Sequence, residues 1–414
     1  MPHGTYSGTY SSIALAPAYP DVTITLSGRI GASGNAVSGG TLQAYSLFNF
    51  GSITSTGGSG VDLLDGGDIV NGSASDPAAL ISGTIGVEIS GEGTIENFGT
   101  IVGSSYAVQF LGYYADRLII HSGAAFIGEV HAGGLGAIEL ASGSTEGTIT
   151  GLGVHYYGFT TLDVDAGADW IAAGTNTVSG YAYIAPGATL DDTGAMTIDA
   201  GAFVENYGVL EIDGGTLLSF GAIDGPGRVI LDGGGTLENL GRVAVVGATY
   251  PGVYIGLAGG TVINGGAADT TEMIQGAAGI ELGGLGIVEN IGTIDSTSNF
   301  GRAIYLKAGG TIVNGASGIA DSLIEGYFAV VAKSGTATIE NLGQILGNFG
   351  VILGGGGMVS NGVAGAPGGL IRGSKLGVLV KGAPGTVENF GTIESTDTYG
   401  VYDCGVYLRA GSST

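Results

Sequence analysis

The sequence predicts an all-β protein folded as a parallel β-solenoid, a right-handed β-helix with about 24–26 residues per coil where the repeats are clear. Three observations predict it. An asparagine-centred octet recurs, first as TIENFGTI ending at Ile101, then as FVENYGVL, TLENLGRV, IVENIGTI, TIENLGQI and TVENFGTI. The intervals are filled by short runs of alternating apolar and polar residues between Gly or Asn turns, and helical periodicity appears nowhere. Glycine accounts for 86 of 414 residues, about three times its usual share, without the strict three-residue period of collagen.

The spacing sets the coil. Asn239, Asn290 and Asn341 follow one another at 51 residues, and Asn389 lies 48 residues further on. A second version, IVNG or VING, contains Asn71, Asn264, Asn314 and Asn361 and alternates with the first, whose asparagines also include Asn97 and Asn206. Asn264 is 25 residues after Asn239 and 26 before Asn290, so the longer period is two coils. A degenerate early copy, LFNFGSI, contains Asn49. Apolar strands near Val87, Val253, Ile304, Val351, Val378 and Val406 precede the asparagine motifs, giving two or three strands per coil. A coil of this size cannot bury an apolar face alone, whereas stacked coils share one core. With a rise of about 4.8 Å per coil, some 17 coils would make a rod of roughly 80 Å.

Taken in chain order, residues 1–24 form an N-terminal segment with no repeat partner and the apolar string SSIALAPAYP. It is assigned as a donor strand for the exposed C-terminal coil of a neighbouring copy. Residues 25–414 form a single continuous solenoid, in which 103–235 depart from the period as shorter or differently cornered coils.

The asparagines are expected at corners, where Asn tolerates the left-handed conformation and where stacked amides form a hydrogen-bonded ladder. The residue before each is Glu in the first version (Glu96, Glu205, Glu238, Glu289, Glu340 and Glu388) and uncharged in the second (Val70, Ile263, Val313 and Ser360). Like charges on adjacent coils repel at about 4.8 Å. Alternation doubles the gap to about 10 Å, near the Debye length, so the two-coil period lets an acidic column stack. A row of divalent-cation sites is the functional alternative for these glutamates.

Charge narrows the role. With 36 acidic and 11 basic residues the net charge is −25, which argues against nucleic acid as a partner and against anionic membranes. No apolar run is long enough to span a bilayer, and no secretion signal is readable at the N-terminus. The single cysteine, Cys404, excludes an intramolecular disulfide.

Catalytic candidates are few. Asp163, Asp165 and Asp169 beside Trp170, and the pair Asp191 and Asp192, are the carboxylates a glycan-cleaving β-helix enzyme would need. The same run alternates like an ordinary half-buried strand. His3, His121, His131 and His155 form no recognised metal pair. Tyr113, Tyr114, Tyr156, Tyr157, Tyr181 and Tyr183 lie in the divergent middle, either stacking on sugars or filling wider coils. No enzymatic site, cofactor or tight metal site is expected, only weak Ca²⁺ association with the acidic surface.

The strings GTVENFGTIEST, GVYIGLAGGTVING, RLIIHSGAAFIGEV, IELASGSTEGTITGLG and LDVDAGADW resemble bacterial autotransporter passenger repeats and, more broadly, haemagglutinin-type β-solenoid adhesins. The resemblance implies an extracellular or bacterial cell-surface protein of structural or adhesive role, with surface glycans or other cells as partners. With two strand edges open at the ends of a solenoid, head-to-tail self-association into filaments or a surface layer is expected. A glycan-cleaving or glycan-binding β-helix protein is the alternative.

Overall fold

The structure, a computed structural model, describes residues 4–247, 249–266, 271–319, 321–365, 368–397 and 403–409. Among these the regular structure is all strand, and the strands pair in parallel as a right-handed β-solenoid of about 16 turns. The chain divides into two compact units, Met1–Thr189 and Leu190–Thr414.

In the second unit each coil has three faces. On the asparagine face, strands Thr236–Asn239, Gly260–Asn264, Gly286–Asn290, Gly310–Asn314, Ala337–Asn341, Gly357–Asn361 and Gly385–Asn389 stack with identical positions in register. The second face begins with Phe203–Asn206 and includes Arg242–Val245, Met273–Gly276, Thr293–Ser296 and Leu323–Glu325. The third includes Val253–Ile255, Ile280–Leu282, Arg302–Leu306 and Phe328–Ala332. Further on, second and third faces join as single bent strands, Gln344–Leu353 and Leu370–Val380, with a register shift between Gly347 and Phe349. Period-2 alternation turns every second residue inward. Val262, Val288, Ile312, Ile339 and Val359 form one fully buried column, each worth about 1.5–3 kcal/mol of apolar burial.

The two-coil period has a structural cause beyond charge. After Asn239, Asn290, Asn341 and Asn389 the next strand starts three residues on, at Arg242, Thr293, Gln344 and Thr392. After Asn264, Asn314 and Asn361 it starts nine residues on, at Met273, Leu323 and Leu370. Short and long corners therefore alternate, and glutamate accompanies the short ones. Successive asparagine rungs lie from 20 to 28 residues apart, wider than the 24–26 expected, while the asparagine-face strands themselves stay at four or five residues.

No non-glycine residue among those described has a positive φ, which corrects the expectation that the asparagines take the left-handed conformation. In the long corners that conformation falls to the next residue, as at Gly265 with φ +95°, a region only glycine enters readily.

In the first unit the N-terminal segment is not set apart as a donor. Thr5–Tyr6 pairs with Thr23–Ile24, Thr9–Tyr10 with Arg29–Ile30, and Ile13–Ala14 with Val37–Ser38, all in parallel. Residues 5–24 thus belong to the coil stack, with Ile13, Val22 and Ile24 in the core. The row from Ile24 passes through Asn49, Asn71 and Asn97 to Ile120, Leu140 and Val164.

Candidate functional site

The most regular polar constellation is the stacked asparagines. In the second unit each Nδ2 donates to the next Oδ1: Asn239 to Asn264 at 2.7 Å, Asn264 to Asn290 at 2.8 Å, Asn290 to Asn314 at 2.7 Å. The row continues through Asn341 and Asn361 to Asn389 at 2.8, 2.7 and 2.8 Å. Each Nδ2 also reaches a carbonyl on the next coil, as Asn290 does to Leu323 O at 3.1 Å. In short corners the amide oxygen accepts from the backbone two residues on, as in Gly241 N–H to Asn239 Oδ1 at 3.3 Å, the local turn that Asn favours. Buried amides are thereby satisfied rather than orphaned.

The first unit carries three rungs, Asn49 to Asn71 at 2.8 Å and Asn71 to Asn97 at 2.9 Å. The row ends there because Ile120 stands opposite Asn97. Asn206 is not part of the second-unit ladder. It lies on the second face, where its amide donates to Arg228 O at 2.9 Å, and the position in register with Asn239 is Ser219.

Outside the ladder, Glu238, Ile263, Glu289, Val313, Glu340, Ser360 and Glu388 make one column of alternating charged and uncharged positions. Glu96 lies between Val70 and Ile119 and takes His121 Nε2 at 2.8 Å. Glu205 departs from the rule: Asp224 is directly opposite, and Asp224 is ion-paired with Arg242. Filling a gap should cost stability. Val313→Glu, which sets three glutamates on consecutive coils, is expected to destabilise the unit by about 1 kcal/mol, less in high salt, as measured by urea unfolding at two ionic strengths.

The carboxylates weighed for catalysis do not form one site. Trp170 is buried, its Nε1 donating to Ala141 O at 3.0 Å, so it offers no stacking surface. Asp163 lies outward opposite Glu139, itself bound to Arg117. Burial first, then the Glu139 charge, raises Asp163 and Asp165 above the usual carboxylate range. Asp169 is exposed on a separate strand, Asp169–Ala173. Asp191 and Asp192, adjacent on one strand, face opposite ways: Asp192 is fully buried and accepts Gly194 N–H at 3.1 Å.

Burial pushes Asp116 up to about 6, against the pull of the Gly93 N–H it accepts at 3.0 Å. A carboxyl that binds its proton more tightly when folded loses stability as pH rises from about 4 to about 6, and the full penalty remains above that. Asp116→Asn should therefore stabilise the first unit at pH 7–8 by about 1–2 kcal/mol, a figure discounted for solvent screening. No gain is expected below pH 4, and denaturant unfolding across that range checks the sign.

The histidines sit apart among aromatic rings. His121 stacks on Phe98 at 3.5 Å between centroids, His131 lies 4.7 Å from the Tyr157 ring, and His155 meets Tyr156 edge-on; His3 falls outside the described residues. Tyr156 is buried, whereas Tyr113, Tyr114 and Tyr181 are exposed. Tyr157 donates to Glu129 at 3.0 Å. Cys404 is a half-buried free thiol. Among the described residues no group of three or more His, Cys, Asp or Glu could hold a metal ion, and no helix is long and apolar enough to cross a membrane.

No protein-family model, curated protein or solved structure matches the chain.

Proposed function

We propose that the protein is an extracellular structural or adhesive solenoid that uses its outer faces for contact with surfaces and with copies of itself. The observation that supports this best is the seven-rung ladder. The buried polar groups of the repeat serve coil stacking, so the outward positions are free to vary and to carry recognition. Charge supports contact between copies. Residues 1–301 hold 29 acidic and four basic side chains, while 302–414 hold seven of each, so the later part of one copy can meet the acidic part of another without net repulsion.

Electron microscopy and retention of the purified protein on a glycan-coated surface test the reading. Ordered assemblies or surface retention that weakens with salt are expected. Robust turnover of acidic or neutral polysaccharides, lost on Asp163→Asn or Asp191→Asn, would replace it with a glycan-cleaving function.

A further inference from the structure

The outward positions of a sheet with one face in water are ordinarily polar. On four successive coils of the third face of the second unit they are not. Tyr305, Val331, Ile352 and Leu379 lie in register on consecutive coils, all half-buried and all pointing outward. Beside this apolar column runs a row of five equivalent positions, Lys307, Lys333, Gly354, Lys381 and Arg409, four of them cations. Each is the residue just after the strand, placed by the same backbone hydrogen bond to the preceding coil. Lys333 N–H donates to Leu306 O at 2.8 Å, Gly354 N–H to Ala332 O at 2.7 Å, and Lys381 N–H to Leu353 O at 2.9 Å. Lys307 precedes and Arg409 follows in the same row. Lys307 is neutralised by Glu281 at 2.5 Å, whereas Lys333 and Lys381 are exposed and form no ion pair among the described residues. Between column and row lies an open groove of about 310 Å³, lined by Arg302, Tyr305, Phe328, Lys333, Ile352 and Lys381.

Stacking like charges on a solenoid opposes folding, and this chain has only 11 cations to place. Setting them along an apolar strip creates a linear surface that is cationic on one edge and apolar along its middle. We propose that this strip binds a linear acidic polysaccharide lying along the coil stack. The C–H faces of its sugars would rest on Tyr305, Val331, Ile352 and Leu379, with its carboxylates against Lys333 and Lys381. The coil rise of about 4.8 Å is close to the length of one pyranose residue, so one sugar meets one coil. The net charge of −25 does not forbid this, because residues 302–414 are neutral overall and charges beyond about 8 Å are largely screened at physiological salt.

This assignment deepens the adhesive reading and rests on it. Calorimetric titration of the full chain with polygalacturonate at about 0.15 M salt tests it, with dextran, polyglutamate and a single-stranded polynucleotide as comparisons. Binding is expected for polygalacturonate alone. Lys333→Gln/Lys381→Gln should weaken it by about tenfold or more and reduce its salt dependence. Tyr305→Ala should weaken binding several-fold and Tyr305→Phe restore it, while Arg372→Gln, whose side chain pairs with Glu394 on the second face, should leave it unchanged. No polygalacturonate binding, equal binding of polyglutamate or the polynucleotide, or full affinity in the double lysine variant would overturn the site. If surface retention persists while polygalacturonate fails to bind, the site falls and the adhesive reading stands. Cleavage of the polymer would overturn both.

Discussion

Replacing Asn290 by aspartate is expected to destabilise the second unit by about 4 kcal/mol at neutral pH. The change is nearly isosteric, so its effect isolates hydrogen-bond polarity. Asn290 Nδ2 donates to Asn314 Oδ1 at 2.7 Å, to Leu323 O at 3.1 Å and to Gly292 O at 3.1 Å. A carboxylate only accepts, so it would set an oxygen against three acceptors in a site that is 1% exposed. Aspartate should also titrate far above its usual range there, because burial and the surrounding oxygens both favour the neutral acid. Much of the loss should return below pH 4, where the protonated group donates again. Urea unfolding of the variant at pH 7 and pH 4 measures both effects. Equal stability to wild type at pH 7 would show that the rungs are not coupled as described.

The second large effect lies in the first unit. Trp170→Ala should cost about 3–5 kcal/mol. The indole is 1% exposed, its Nε1–H satisfies Ala141 O at 3.0 Å, and Gly147 on the preceding coil leaves room for it, since a Cβ there would run into the ring. Truncation leaves a ring-sized void and an unpaired carbonyl. Hydrogen exchange of Gly147–Thr150 and Asp169–Ala173, the strands paired across that contact, should accelerate markedly. Unchanged protection would mean that the coils close around the void.

What was legible in the sequence and what was not follow from the same physics. Asn239, Asn290 and Asn341 repeat at 51 residues because each two-coil unit joins one short corner to one long corner, and that sum is visible in one dimension. Face assignment is not. FVENYG around Asn206 reads like the motifs of the second-unit ladder, yet it lies on a different face from that ladder. The coils around it run 21 and 20 residues, from Ile198 to Ser219 to Asn239, and all three faces share the same alternation. Asp191 and Asp192 are adjacent in sequence, but neighbours on a strand point apart, so the two carboxylates do not face one site. The cationic row was hidden for the opposite reason. Lys333 and Lys381 are 48 residues apart, and only stacking at the coil period brings them onto one edge. The N-terminal segment had no repeat partner in sequence because its coil is built from very short strands, Thr5–Tyr6, Thr9–Tyr10 and Ile13–Ala14, too brief to carry the motif.

The side-chain amide protons of Asn264, Asn290, Asn314, Asn341 and Asn361 offer the most direct test of the ladder on which this account rests. Each is buried and bonded to both the next amide and a backbone carbonyl. Followed by NMR after transfer to deuterated water, they should persist as long as the core backbone amides of the same strands, exchanging only when the coils open. Exchange at the rate of a solvent-exposed carboxamide, with the backbone still protected, would contradict the ladder.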